Sequence, residues 1–328
     1  MRLTIEEARD LADRVMRRLG HDEAEAAIIA DHLIDCELRG IGYGGLARAV
    51  SIAERLRRTG DRRRPIAILQ ETPVSARLNG GDRIGYVVGH RATEIAIEKA
   101  EAAGIALVGA SDTWYTGMLS VYAEMAAARG LVTMIASNAS PWVAPHGGTE
   151  GRLGTNPICF GFPSDGEPVI WDIGTSAIIH AEVTLAGRLG HELPAGVAYD
   201  GAGEPTRDPA AALSGAFATW GGPRGSGLGM VVQLLGVMAG SDPLPPDLEG
   251  FGFVIVAMRP DLLGPAGAFR RNVAAYADAI RGTRPIAGGG PVRMPFDRSR
   301  AERARRLSEG AIEVEETIVA TLRGLVGG

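Results

Sequence analysis

The run Leu153-Gly154-Thr155-Asn156-Pro157-Ile158-Cys159-Phe160-Gly161-Phe162 sets how the middle of this chain is read. Gly154, Asn156 and Pro157 are turn formers, and the apolar stretch 158–162 behind them is short, so it reads as a strand entered from a tight turn. The same texture continues on both sides. Apolar runs at 67–69, 75–78, 105–108, 132–136 and 169–172, in a stretch broken by glycine, read as further strands. Helical patterns at 87–103 and 119–129 lie between them, which makes the middle of the chain a mixed α/β layer structure. Beyond it, 228–239 and 268–281 read as helices around a strand at 253–258, and one long charged helix, 298–325, is expected to close the chain.

The N-terminal stretch differs in kind. Thr4 with Glu7, and Asp22 with Glu25, have the spacing of capping boxes, in which two side chains satisfy unpaired N–H groups at a helix start. Helices are therefore expected over 5–19 and 23–38, ending at Gly20 and Gly40, followed by an amphipathic stretch, 45–58. Arg62, Arg63 and Arg64 form the one local basic cluster, read as a solvated turn in preference to a phosphate contact. The glycines at 288–290 are the most linker-like segment, placed to let a C-terminal helix return to the N-terminal ones.

Composition narrows the function classes. Of 328 residues, 45% are hydrophobic and 22% charged, as in a globular protein able to bury a substantial core. A net charge of -5 gives no basic surface for nucleic acid. Cys36 and Cys159 stand alone, without disulfide-framework or zinc spacing, which points to a reducing cytoplasm. The chain starts in a charged amphipathic segment and has no run of about 18 apolar residues, so neither secretion nor membrane insertion is expected. The six histidines lack any metal-binding spacing, and no metal site is expected.

Local motifs give no mechanism. A GxGxxG turn between strand and helix, the sign of a Rossmann cofactor site, is absent. Arg224 followed by Gly225-Ser226-Gly227-Leu228-Gly229 reads as a glycine loop opening an apolar helix. Such an end suits an anion, although glycine clusters also serve close packing.

Several segments together resemble the type-2 malate/L-lactate dehydrogenase family, which also includes ureidoglycolate dehydrogenase, diketogulonate reductase and piperideine-2-carboxylate reductase. They are Leu38-Arg39-Gly40 with Arg48, Tyr122-Ala123-Glu124-Met125-Ala126, the run 153–158, Asp172 with Thr175-Ser176, Leu193-Pro194, Pro205-Thr206-Arg207-Asp208-Pro209, and Gly225. The likeness covers nearly the whole chain. It implies a non-Rossmann α/β fold: a largely antiparallel sheet domain binding NAD or NADP (76–291), packed on a helical domain built from both chain ends (1–75 completed by 292–328), in a homodimer. It implies hydride transfer to or from a carboxylate-bearing 2-oxo, 2-imino or 2-hydroxy substrate. It places Thr155, Asp172, Thr175, Ser176, Arg224, Gly225 and Asp297 at the cofactor, with Phe296 where the family has glycine.

The departures from the family pattern fall on the proton donor. Tyr43 and Gly44 occupy the positions of the family's Ser and His, and Tyr115 stands where a second imidazole is usual; Glu182 and Arg224 replace lysines. Reducing a carbonyl leaves an alkoxide that some group must protonate, and glycine cannot. Tyr43 and Tyr115 either supply phenols for that purpose, with Arg48 lowering their pKa, or fill the vacated space. Arg48 itself can grip a carboxylate through paired hydrogen bonds. Trp114, Tyr115 and Tyr43 imply a bulkier, more aromatic pocket. The resemblance thus points to an oxidoreductase with Tyr43, Arg48 and Tyr115 as catalytic residues; the alternatives are an enzyme of the same fold turned to lyase, isomerase or hydrolase chemistry, or an inactive binding homologue. Glu182 in place of lysine leans towards NAD.

Overall fold

The computed structural model describes residues 1–327. β1 (Arg2–Thr4) leads into α1 (Ile5–Arg18), and the Thr4–Glu7 capping box is formed in both directions. α2 (Glu23–Leu38) is capped differently from its spacing. Asp22 accepts from the Glu25 N–H, but the Glu25 carboxylate turns to His21 and Arg83, so only half of the expected box exists. α3 (Leu46–Thr59) follows.

A seven-stranded sheet fills the centre. Its strands are β2 (Ala67–Thr72), β3 (Ser75–Ile84), β4 (Ile105–Trp114), β5 (Val132–Ser137), β6 (Ile158–Phe162), β7 (Val169–Ile173) and, after the short pair β8 (Ala198–Tyr199) and β9 (Ala216–Phe217), β10 (Phe251–Met258). The order is β2-β3-β4-β10-β5-β6-β7. Only β3 and β4 pair in parallel, across the crossover helix α4 (Gly85–Ala103); every other pair in this sheet is antiparallel, as the resemblance implied.

Alternation along the strands divides the packing between two faces. Leu78, Val108, Ile135 and Phe253 pack with α4 and α5 (Ser120–Ala127), whereas Ala136 and Ile158 meet Val232 of α8 (Pro223–Met238) on the other side. The glycine run 225–229 is therefore not a loop. It lies inside the first turns of α8, where a Cβ on Gly225 would come within 1.8 Å of the Trp220 carbonyl oxygen, so close packing accounts for that glycine. Two helices that the periodicity did not announce, α6 (His180–Leu189) and α7 (Pro209–Ser214), pack with β8 and β9 around Phe217.

The C-terminal part comprises α9 (Ala266–Arg281), α10 (Asp297–Glu309), β11 (Ala311–Glu313) and α11 (Glu316–Val326). The single long helix expected over 298–325 is thus two. Gly310 takes a left-handed conformation, φ 66°, and the next three residues pair antiparallel with β1. α11 then buries Ile318, Val319 and Leu322 against Leu11, Val15, Leu33 and Ile52 of the N-terminal helices. Among the described residues no helix is long and apolar enough to cross a membrane.

Candidate active site

A cleft of about 400 Å³ opens where α3, the segment after β4, the start of α6 and the start of α10 converge on the sheet. Its floor is fixed from below by α2. The Glu37 carboxylate accepts from the Leu46 N–H at 2.7 Å, capping α3 where Gly45 has no side chain to do so. Burial raises the Glu37 carboxyl to about 7. This long-range cap orients the first turn of α3, which carries Arg48, and the 3-10 turn Gly42–Gly44, which carries Tyr43.

Arg48 is buried at the cleft wall. Its guanidinium lies 4.1 Å from the centre of the Tyr115 ring, and its Nη1 is buried without a hydrogen-bond partner. Tyr115 is held at φ 49°, a left-handed conformation that non-glycine residues seldom adopt. Two residues on, Gly117 has φ 73°, and a Cβ there would stand 2.2 Å from Tyr86 and 2.4 Å from His32. The chain is thereby pressed flat against that pair of rings. Arg48 does act on the Tyr115 phenol, but burial outweighs it and the pKa rises; the Tyr43 phenol is pushed up as well, by burial and then by Glu182, Cys36 and Asp172.

Two imidazoles sit near this cleft. His32 stacks on Tyr86 with ring centres 4.2 Å apart, and its Nε2 accepts from the Met118 N–H at 2.9 Å. Burial holds it neutral, near 4. His180, the first residue of α6, lines the cleft itself, stacked 4.1 Å from Trp142. Its pKa is lowered to about 3 by burial and then by Arg48, Arg188 and Arg58.

Of the expected site residues, Tyr43, Arg48, Tyr115, Thr155 and Asp172 all face this cleft. Asp172 accepts from the Ser120 N–H at 2.8 Å, and burial lifts its carboxyl to about 6. Thr175, Ser176, Arg224, Gly225 and Asp297 do not line it. Thr175 and Ser176 are buried, Arg224 is exposed on the first turn of α8, and Asp297 is engaged by Arg281 at 2.8 Å and by the Met294 N–H at 3.0 Å. Trp114, expected in an aromatic pocket, is instead core: its indole donates to the Asp82 carbonyl at 3.0 Å beneath the Arg55 guanidinium. The aromatic lining is built from Tyr43, Tyr86, Tyr115, Trp142, Phe251 and Phe296. Glu182 accepts from the Ile179 N–H at 3.1 Å as a helix cap. The basic cluster is a paired surface turn, with Arg62 on Glu249, Arg63 on Asp61 and Arg64 on Asp112. Sequence reasoning missed His180, Trp142 and Arg298; Arg298 lines the cleft with no ion pair among the described residues.

A buried guanidinium without an ion pair among the described residues, and an imidazole stacked on Trp142, make this cleft suited to a small organic anion. The malate/L-lactate dehydrogenase family matches residues 3–323. The L-sulfolactate dehydrogenase of Methanothermobacter thermautotrophicus is 31% identical over 99% of this chain and 96% of its own. The Delta(1)-pyrroline-2-carboxylate/Delta(1)-piperideine-2-carboxylate reductase of Pseudomonas aeruginosa is 34% identical over 72% of this chain and 71% of its own. The crystal structure of a dehydrogenase from Sinorhizobium meliloti superposes with a TM-score of 0.92 at 30% identity, covering 99% of this chain and 98% of that one. The chain belongs to the malate/L-lactate dehydrogenase family, and is an oxidoreductase of that family using a nicotinamide cofactor.

Proposed function

We propose that this protein transfers hydride between NAD(H) or NADP(H) and a carboxylate-bearing 2-oxo, 2-imino or 2-hydroxy substrate. The observation that carries the reading is the Arg48 guanidinium, which lines the cleft without an ion pair among the described residues and whose buried Nη1 is left without a partner. A buried donor left unpaired is costly, and a substrate carboxylate supplies the missing acceptor. The two relatives, a sulfolactate dehydrogenase and a pyrroline-2-carboxylate/piperideine-2-carboxylate reductase, are enzymes named for carboxylate substrates.

The residues present fit a nicotinamide dinucleotide. Arg298, at the start of α10 and without an ion pair among the described residues, and Thr155 would hold it, and the aromatic wall offers a surface for a flat ring. When bound, the cofactor supplies or accepts the hydride. Arg48 anchors the substrate, and Tyr43 and Tyr115 close the space around it and keep water out. Thr175, Ser176, Arg224, Gly225 and Asp297, outside this cleft, belong to the proposal only as more distant cofactor contacts or supports. We place the protein in a reducing cytoplasm, since Cys36 and Cys159 are both free and buried. We also propose a homodimer, in which a second copy covers the apolar strip Met230, Val231, Leu234 and Met238 on the outer side of α8, each between 45% and 67% exposed.

Titration with NADH and with NADPH tests the proposal, because Trp142 in the cleft wall makes tryptophan emission a reporter. Saturable quenching by one of them, followed by oxidation of the reduced cofactor with a 2-oxo or 2-imino acid, is expected. Absence of quenching by both overturns the cofactor assignment.

A further inference from the structure

We propose that His180 is a catalytic residue of this cleft: with the substrate carboxylate seated on Arg48, its imidazolium gives a proton to the oxygen or nitrogen at the reacting carbon. The inference rests on the dehydrogenase reading above. Its first support is placement. Among the titratable side chains at the cleft wall, His180 is the imidazole, and its ring is held by stacking on Trp142 at 4.1 Å and an interplanar angle of 25°. Nδ1 lies 3.4 Å from the Thr184 hydroxyl, and Nε2 has no partner among the described residues. One nitrogen is therefore steadied while the other is open to a ligand.

The second support is rigidity relative to Arg48. Arg188, two turns along α6, donates to the Ala47 carbonyl at 3.0 Å and to the Ser51 hydroxyl at 3.1 Å, and pairs with Glu54 at 2.5 Å. These contacts bolt α6 to the segment of α3 that carries Arg48. The anion anchor and the imidazole thus belong to one fixed frame, the arrangement that proton transfer to a positioned substrate requires.

The third is charge. The groups that act on His180 are Arg48 and Arg58 from α3 and Arg188 from its own helix; Glu182, also on α6, is engaged with the Ile179 N–H. Three guanidinium groups, burial and a helix N-terminus all favour the neutral ring, which is held near 3 in the empty cleft. A carboxylate on Arg48 places a negative charge among them and raises the imidazole, so the proton arrives together with the substrate. In the reductive direction, a bound nicotinamide would supply the hydride and its two electrons to the carbon, and the π pair of the substrate's C=O or C=N bond moves onto oxygen or nitrogen. The imidazolium N–H bond breaks as the new O–H or N–H bond forms, leaving His180 neutral; oxidation runs the same steps backwards. The raised pKa values of Tyr43 and Tyr115 make both phenols poorer sources of that proton.

The test is NMR of full-length protein carrying ring-labelled histidine, with NADH and with oxamate, a non-reacting stand-in for a 2-oxo acid. The His180 signal is identified by its loss in His180→Asn, and the five other histidine signals report whether that variant folds; His180→Gln serves if it does not. Expected is a neutral His180 signal across about pH 5 to 8 in the free protein, which titrates inside that window once oxamate binds. His180→Asn should lower kcat by about 10²-fold or more with KM changed less than about threefold. A signal that stays neutral with oxamate bound overturns the proposal, as does failure of oxamate to bind. Quenching of Trp142 by NADH in the same samples separates this outcome from failure of the cofactor reading itself.

Discussion

His180 lines the cleft and His32 lies behind its wall, against Tyr86 and Gly117; both are held neutral by burial, yet they are built for different ends. The His32 ring is enclosed between Tyr86 and Gly117, and its Nε2 is used by the Met118 N–H. His180 presents an unpartnered nitrogen beside a guanidinium with an unpartnered Nη1. The contrast teaches that a depressed pKa by itself marks only burial. What separates a structural imidazole from a chemical one is whether a nitrogen is left over, and whether an oppositely charged partner is missing from the same space.

The largest effect tests the structural wall. Gly117→Ala combines a left-handed backbone with overlap onto both Tyr86 and His32, and should cost about 4 kcal/mol or more. Loss of soluble protein or a steep fall in the thermal midpoint is expected; an unchanged midpoint breaks the view that this wall is rigid. On the chemical wall, Arg48→Met keeps the length of the side chain and removes the anchor. It should lower kcat/KM by about 10²- to 10³-fold, mainly through KM, while the thermal midpoint stays level or rises as an unpaired buried cation is removed. A stability loss without a kinetic one would assign Arg48 to the same class as His32.

Asp172 is the intermediate case, with one partner and a face on the cleft. Its carboxyl is raised by burial from the usual range to about 6, so between those values the folded protein binds a proton that the unfolded chain does not. Folding is therefore penalised above pH 6, and the penalty is relieved as pH falls through it. Asp172→Asn should be more stable than the parent at pH 8 by roughly 2–3 kcal/mol, with the gain shrinking below pH 6 and largely gone near pH 4. Thermal melts at both pH values check this, and a gain equal at the two would place its origin elsewhere. The smallest expected effect is that of Tyr43→Phe and Tyr115→Phe on kcat, less than about threefold each, since removing a true proton donor costs about 10²-fold or more. A larger loss in either variant returns the proton to that phenol.

Much of the fold was legible because it is written in local patterns. The strands of the central sheet, and helices α1 to α5, could be placed from apolar spacing and end signals alone. What failed did so where tertiary pairing competes with local preference. The stretch 298–325 carries helical composition throughout, but Ala311–Glu313 is recruited by β1 from the opposite end of the chain. α6 begins without a side-chain cap of its own on the preceding residue, and Glu182, which caps it from within, stands where the family resemblance implies a lysine.

Sequence by itself determined the family, through the run 153–158 and the Pro205–Pro209 string. It also placed Tyr43, Arg48, Tyr115, Thr155 and Asp172, since each lies in or beside a recognisable segment. Only the tertiary structure decided that Trp114 is core, that Gly225 and Gly236 of α8 serve close packing, and that His180 and Trp142 line the same cleft as Arg48. The physical reason is distance along the chain. Whether a polar atom is satisfied or left over depends on partners more than a hundred residues away, as Arg188 on Ala47 illustrates, and no local pattern encodes them.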